Sequence, residues 1–159
     1  MFAQALPTAT RLLSAQIGGG VSISSPDYAN GLNKGISVYG DLDIGKHFGI
    51  EADFHDLSLF TPHDIGENTI LLGVRYGIDR GRFHPYGKVL AGLGTFQFQQ
   101  GYYTPSTTGN LKVYAFGGGV DYRFRPKINI RLGDFEYQHW SYGNGLTPWI
   151  MTVGAAYHF

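Results

Sequence analysis

The chain ends in a run of alternating side chains that closes on an aromatic residue, and this run restricts the possible folds more than any other segment. Counted back from the end, one face is apolar: Phe159, Tyr157, Ala155, Val153 and Met151. The other face is small or polar: His158, Ala156, Gly154 and Thr152. A strand in the wall of a transmembrane β-barrel needs this alternation, because one face meets lipid and the other meets the lumen. The closing strand therefore predicts a barrel that lies in a membrane.

The composition agrees with this prediction because the apolar and polar faces of a barrel wall cancel in any average. No stretch approaches the roughly 18 apolar residues that a membrane helix needs, so the sequence excludes a helical membrane protein. The 159 residues include 12 basic and 12 acidic side chains and no Cys. A neutral balance without a basic stripe argues against nucleic-acid binding, and the absence of Cys excludes disulfides and thiolate chemistry.

Period-two stretches between turn residues predict eight strands, each near the roughly 9–11 residues that cross a bilayer when tilted. They begin near Leu13, Gly35, Phe48, Thr69, Tyr86, Val113, Ile128 and Trp149. The predicted fold is an all-β, eight-stranded, antiparallel up-and-down transmembrane β-barrel over residues 11–159. Residues 1–10 are predicted to be a flexible lead-in or the remnant of a signal peptide.

Two strands need a specific choice of side. In the fifth strand, Val89, Ala91 and Leu93 are predicted to face outward, because the alternative places Lys88 in lipid at a cost of roughly 2–4 kcal/mol. In the seventh strand the alternation shifts near Gly133 and Asp134. We expect a β-bulge there, which returns the following aromatic residues, Phe135 and Tyr137, to the outside.

The connections alternate in length, which predicts an orientation. Residues 45–47, 79–82 and 125–127 are short turns, whereas residues 25–33, 61–67, 101–110 and 141–147 form longer loops. Short turns of outer-membrane barrels lie on the periplasmic side, so both termini are predicted to be periplasmic. Aromatic residues near strand ends are predicted to form an interfacial girdle: Tyr102, Tyr103, Trp140, Tyr142 and Trp149.

Charged side chains fall on the inward faces of the predicted strands. The lumen of an eight-stranded barrel is only wide enough for side chains to fill it, and buried charges are costly unless they are paired. We therefore expect a hydrogen-bonded charge network formed by Asp41, Asp43, Glu51, Asp53, Arg75, Lys88, Asp121, Arg123, Arg131 and Glu136. We expect neither a cofactor nor a metal, and a narrow ion path through the same residues is the alternative.

Three segments together resemble the OmpA/OmpX-type family of small outer-membrane β-barrels: residues 85–94, residues 117–122 and the closing residues 155–159. The resemblance implies a bacterial outer-membrane protein, not an enzyme, with a structural or surface-interaction role and four extracellular loops that bind an unknown ligand. The implied partners are the lipid bilayer and the barrel-assembly machinery. Val153, Tyr157 and Phe159 would form the carboxyl-terminal assembly signal.

Two other functional classes remain open. The His139-x-Ser141 spacing resembles that of outer-membrane lipid A deacylases, in which a His activates a Ser, but no acidic residue follows Glu136 to orient the His. A soluble lipocalin-like carrier would invert the faces and put Val153, Tyr157 and Ile70 in its cavity. The pairs His55–Asp56 and His63–Asp64 match no metal-binding spacing.

Overall fold

Nine β-strands form the secondary structure of the computed structural model, which describes residues 13–27, 31–60, 65–98, 106–141, 143 and 145–159. The strands are β1 (Leu13–Ser25), β2 (Asn33–Ile44), β3 (Phe48–Asp56), β4 (Ile65–Gly77), β5 (Phe83–Phe98), β6 (Ser106–Thr107), β7 (Leu111–Arg125), β8 (Ile128–Trp140) and β9 (Trp149–His158). The predicted lead-in at residues 1–10 lies outside the described residues.

Eight of these strands close into an antiparallel barrel. Neighbours in the chain pair with one another, β1 pairs with β9, and β5 pairs with both β4 and β7. The two-residue strand β6 pairs only with the end of β5, at Gln97 and Phe98. The prediction of an eight-stranded up-and-down barrel is therefore confirmed.

The outside of the barrel is apolar and the inside is polar. Ile70, Val89 and Val153 are 61%, 62% and 41% exposed on the outer surface, whereas Lys88 is 3% exposed in the interior. This sidedness fits a wall that faces lipid. It contradicts the lipocalin-like alternative, which needs Val153, Tyr157 and Ile70 inside. Within the described residues, no helix is both long and apolar enough to span a membrane.

The predicted β-bulge is present in β8. The pairing of β8 with β9 shifts register between Arg131 and Asp134, and the pairing of β7 with β8 shifts between Val120 and Asp121. The extra residue turns Phe135 outward, where it is 48% exposed, and turns Asp134 into the lumen. A bulge adds one residue to one strand and so resets the alternation beyond it.

The two ends of the barrel differ. The short-turn end carries residues 45–47, 78–82 and 126–127, and both the start of β1 and the end of β9 lie there. Gly45 and Gly81 have φ values of 79° and 68°, a left-handed conformation that Gly adopts without steric cost. At the long-loop end lie the end of β1 and the start of β2, the end of β3 and the start of β4, the end of β5 and the start of β7, and the end of β8 and the start of β9. There the Asp27 carboxylate accepts hydrogen bonds from Oγ1 and N of Thr147 at 2.5 and 2.9 Å, which lower the pKa of Asp27.

Of the strand starts, those of β4 and β5 differ most from the prediction, and the others lie within two residues of it. Strand β4 begins at Ile65, whereas residues 61–67 were predicted to be a loop, and β5 begins at Phe83 instead of Tyr86. In β4 the residues Gly66, Glu67 and Asn68 are unfavourable in strands by propensity. Their pairing with β5 overrides that preference, since Glu67 lies opposite Phe96.

Candidate functional site

The lumen contains two layers of side chains. The charged layer lies toward the short-turn end and comprises Asp41, Glu51, Asp53, Arg75, Lys88, Asp121, Arg131, Asp134 and Glu136. The apolar layer lies toward the long-loop end and comprises Leu71, Leu90, Phe96, Val113, Ala115 and Trp140. Uncharged polar side chains, among them Gln16, Ser22 and Gln138, are buried beside these two layers.

Arg131 joins three strands within the charged layer. Its Nε lies 3.0 Å from Asp121 Oδ1, its NH1 lies 3.1 Å from Glu51 Oε1, and its NH2 lies 3.2 Å from Asp41 Oδ2. The guanidinium carbon also lies 3.6 Å from the centre of the Tyr39 ring. Charge-assisted hydrogen bonds and a cation–π contact together compensate the desolvation of this cation.

Arg75 holds the same acidic residues from the opposite wall. Its NH1 lies 2.5 Å from Asp41 Oδ2 and 3.3 Å from Glu51 Oε2, and its NH2 lies 3.4 Å from Asp121 Oδ2. Its guanidinium carbon lies 4.2 Å from the centre of the Tyr86 ring. The two arginines therefore connect β2, β3, β4, β7 and β8 across the lumen.

Lys88 is the centre of the second half of the charged layer. Its Nζ lies 2.9 Å from Glu51 Oε1, 2.7 Å from Asp53 Oδ2, 2.9 Å from Asp134 Oδ1 and 2.7 Å from Glu136 Oε1. The Lys88 side chain is only 1% exposed. One ammonium group thus lies among four carboxyl groups with almost no access to water.

Trp140 lies inside the barrel, so its prediction as an interfacial aromatic residue is wrong. Its side chain is 0% exposed and stacks on Phe96 with ring centroids 4.6 Å apart. The indole Nε1 donates a hydrogen bond to Gln138 Oε1 at 2.9 Å. Trp140 shares the inward face of β8 with Gln138 and Glu136 because the alternation continues unbroken beyond the bulge. Gly94 makes room for the ring, since a Cβ at this position would lie 2.5 Å from it.

Arg123 lies at the mouth of the barrel, so its prediction as a lumen residue is also corrected. Its side chain is exposed and lines a cavity of about 320 Å³ at the short-turn end. Asp43 lines the same cavity and lies 4.0 Å from Arg75 Nε, with its side chain 44% exposed. Asp121 is the last buried residue of β7 before the turn. Arg123 lies two positions closer to the turn and reaches solvent.

Several residues of the lumen were absent from the predicted network, and Asp134, Tyr86 and Glu67 are three of them. Asp134 contacts Lys88, and it was missed although the predicted outward position of Phe135 implies that its neighbour faces inward. Tyr86 donates a hydrogen bond to Asp134 from its hydroxyl group. Glu67 is 1% exposed and accepts a hydrogen bond from Ser24 at 3.0 Å, but the sequence placed it in a loop.

The remaining aromatic predictions fall in two groups. Trp149 is half-buried on the outer face and stacks on Phe135 with centroids 6.0 Å apart. Tyr102, Tyr103 and Tyr142 lie outside the described residues. At the carboxyl terminus, Tyr157 and Phe159 contact each other edge to face at 5.2 Å, and Val153 lies on the same outer face.

The possible catalytic pair lies on the outer surface near the long-loop end. His139 and Ser141 are both exposed, with the buried Trp140 between them. Glu136 points into the lumen, on the opposite face of β8 from His139, so it cannot orient this His. Among the described residues, no group of three or more His, Asp or Glu side chains is arranged to hold a metal ion; His63 and Asp64 lie outside them.

Solved structures of similar fold include an outer membrane protein and two bacterial surface or attachment proteins. The outer membrane protein OprG from Pseudomonas aeruginosa has a TM-score of 0.67 at 15% identity, over 92% of this chain and 95% of that one. Neisserial surface protein A has a TM-score of 0.63 at 16% identity, with the same coverage. Ail, the attachment invasion locus protein of Yersinia pestis, was solved with the heparin analogue sucrose octasulfate and has a TM-score of 0.58 at 18% identity, over 92% and 97% of the two chains. Similarity at this level of identity establishes the fold alone.

The family of the chain is shown by a match to a family model, whereas the solved structures show only the fold. No curated protein matches the chain at a significant level. The model of the outer membrane protein beta-barrel domain matches residues 1–159, the full length of the sequence. Together with the closed barrel, its apolar outer surface and its charged lumen, this match shows that the chain belongs to the outer membrane protein β-barrel domain family.

Proposed function

We propose that this protein is a closed barrel with a structural role in the outer membrane, and that it acts on other molecules through its outer surface and its four long loops. The observation that carries the proposal is the filled lumen. Trp140 and Phe96 are buried inside the long-loop end as a stacked pair of rings, and Arg75 and Arg131 cross the charged layer below them. A lumen filled in this way offers no route for a solute, so the exposed surfaces carry the function.

The proposed orientation puts the short-turn end in the periplasm and the long loops outside the cell. The length difference between the two sets of connections supports this orientation, since bacterial barrels have short periplasmic turns. Both termini are then periplasmic. In this arrangement Val153, Tyr157 and Phe159 are available to the barrel-assembly machinery as the signal of the last strand, on the outer face where the exposed fraction of Phe159 is 60%.

The loops are proposed to bind a surface ligand whose class we leave open. Ail was solved with a heparin analogue, which is a polyanion. The described part of the long-loop end in this chain has Lys34 and Lys112 balanced by Asp27 and Asp56. This balance offers no basic patch for a polyanion, so the ligand of Ail is not carried over to this chain.

Planar-bilayer recording tests the closed lumen. The chain is refolded in lipid vesicles, and its folding is verified by a heat-dependent mobility shift on SDS gels before fusion with the bilayer. We expect no stable conductance steps. Large, stable steps from protein that passes the folding check would refute the proposal and would move the function into the lumen.

A narrow ion path is the second candidate, supported by the mouth cavity of about 320 Å³, which reaches Arg75 and Asp121 from the short-turn end. The same recordings distinguish it, because a path through this cavity gives small steps whose ion selectivity changes in Asp121→Asn.

Catalysis by His139 and Ser141 would appear as lipid A hydrolysis that is lost in Ser141→Ala, and we expect no hydrolysis to be detected.

A further inference from the structure

The lumen contains more acidic groups than its basic groups can neutralise. Among the described residues, seven carboxyl side chains are buried with three permanently charged basic side chains, Arg75, Lys88 and Arg131, and one histidine, His55, so the acidic groups are in excess even when His55 is counted as a cation. A buried ionised carboxylate without a partner is costly, and such a group binds a proton instead. The charge count therefore requires additional positive charge in the lumen, and the contacts between carboxyl groups indicate where it lies.

The first contact joins Asp41 and Glu51, which are direct partners across β2 and β3. Both carboxyl groups lie on the same nitrogen, Arg75 NH1, with Asp41 Oδ2 at 2.5 Å and Glu51 Oε2 at 3.3 Å. Asp41 Oδ1 is buried and accepts no hydrogen bond from any described residue, and the partner of Glu51 Oε2 is Arg75 NH1, which also contacts Asp41. Two ionised carboxylates only accept hydrogen bonds, whereas a protonated carboxyl group donates one. One proton between these two groups satisfies both.

The second pair is Asp53 of β3 and Glu136 of β8, which meet at Lys88 from different sides of the lumen. Both also lie within 2.7 Å of Lys88 Nζ. An ammonium group has three N–H donors, and four carboxyl oxygens surround this one at 2.7–2.9 Å. A carboxyl proton shared by Asp53 and Glu136 supplies the donor that Lys88 lacks.

We propose that the folded lumen binds two protons at neutral pH, one shared by Asp41 and Glu51 and the other shared by Asp53 and Glu136. The protons are taken up from solvent during folding, and each binds to a carboxylate oxygen. They make up part of the missing positive charge, so the charged layer remains closed without a bound metal. Their loss at high pH leaves two more negative charges among the same side chains and destabilises the folded barrel.

Other charged and titratable groups surround both pairs. The Asp41–Glu51 pair faces Arg75 of β4, Lys88 of β5, Asp121 of β7 and Arg131 of β8, with Tyr39 on its own strand β2. The Asp53–Glu136 pair faces Lys88 of β5, Asp134 of β8 and His55 of β3, whose Nε2 lies 3.9 Å from Glu136 Oε1. The cations are shared among several carboxylates, so they do not remove the need for the protons.

Infrared spectroscopy at pH 7 of the chain refolded in a detergent without ester groups tests the proposal, because a protonated carboxyl group has a carbonyl stretch that an ionised one lacks. We expect this band in the wild-type protein. Asp41→Asn and Asp53→Asn should each remove about half of it, since the Asn amide replaces the donated hydrogen bond. The control Asp27→Asn, in an exposed loop, should leave the band unchanged. Absence of the band from the wild-type protein, or an unchanged band in both lumen variants, overturns the proposal.

The pH dependence of unfolding is a second measurement that keeps the proposal falsifiable if one variant fails to fold. A proton bound only in the folded state makes the unfolding equilibrium constant increase tenfold per pH unit, over the range where the unfolded carboxyl is ionised and the folded one still holds its proton. Asp53→Asn or Asp41→Asn should remove one such tenfold factor relative to the wild-type protein. Equal pH slopes in the wild-type protein and a folded variant contradict the proposal, as does the release of protons when the wild-type chain refolds.

Discussion

Replacement of Lys88 by Met is the most informative single perturbation of the lumen. Met retains most of the side-chain volume but removes the only cation within 3 Å of four carboxyl oxygens. Breaking a buried ion pair by removing one partner costs about 3–5 kcal/mol. Because four carboxyl groups lose one shared partner, we expect a loss in the free energy of unfolding near the upper end, about 5 kcal/mol.

Urea titration of the refolded protein, followed on SDS gels of unheated samples, measures this loss. Lys46→Met is the matched control, because Lys46 lies exposed in the short turn between β2 and β3, and a surface change of this kind costs at most about 0.5 kcal/mol. The double variant Lys88→Met/Glu136→Gln should recover part of the loss, because it removes one uncompensated carboxylate. A loss below about 1 kcal/mol in Lys88→Met would refute the view that this ammonium group holds the charged layer together.

The remaining predictions concern the apolar layer and the long-loop end. Trp140→Ala should cost about 3–5 kcal/mol in unfolding free energy by leaving a cavity beside Phe96, and Trp149→Ala on the outer face should cost less in the same titration. Gly94→Ala should destabilise by about 1–3 kcal/mol, because the new Cβ would overlap the Trp140 ring; Gly31→Ala, which has open space around it, is the control. Because the hydrogen bonds from Thr147 lower the pKa of Asp27, the contact between these two loops should persist above the ordinary Asp range and be lost as the pH falls through the lowered pKa. An NMR titration should show the pKa of Asp27 rising in Thr147→Val, and an unchanged pKa would show that the hydrogen bonds have no effect in solution.

The outward and inward residues of the barrel wall were predictable from sequence. Apolar and polar side chains alternate along each strand, because successive residues face lipid and lumen in turn. The choice of outward residues in the fifth strand followed from the cost of placing Lys88 in lipid, and Val89 and Leu93 are exposed as expected. The bulge near Gly133 was visible as a break in the same alternation. Local chemistry of this kind needs no knowledge of the partner strands.

The contacts inside the lumen depend on register and strand stagger, which one sequence does not specify. Trp140 was assigned to the interface because it is aromatic and lies at a strand end, although counting onward from Glu136 places it inside. The alternation of β7 correctly puts Arg123 on the inward face of the strand. Alternation does not say how far along the barrel axis a residue lies, however, and Arg123 lies at the open mouth. Glu67 was missed because its neighbours Gly66 and Asn68 are poor strand formers, and only the pairing with β5 keeps them in the wall.

The two tryptophans of the chain allow one direct test of a membrane barrel with a filled lumen, because Trp149 lies on the outer face and Trp140 lies inside. Trp140→Phe and Trp149→Phe each leave a single fluorophore, and each variant is refolded in vesicles of brominated lipid, whose bromine atoms quench tryptophan on contact. The account predicts strong quenching of Trp149 and weak quenching of Trp140. Equal quenching of the two, or stronger quenching of Trp140, would contradict it.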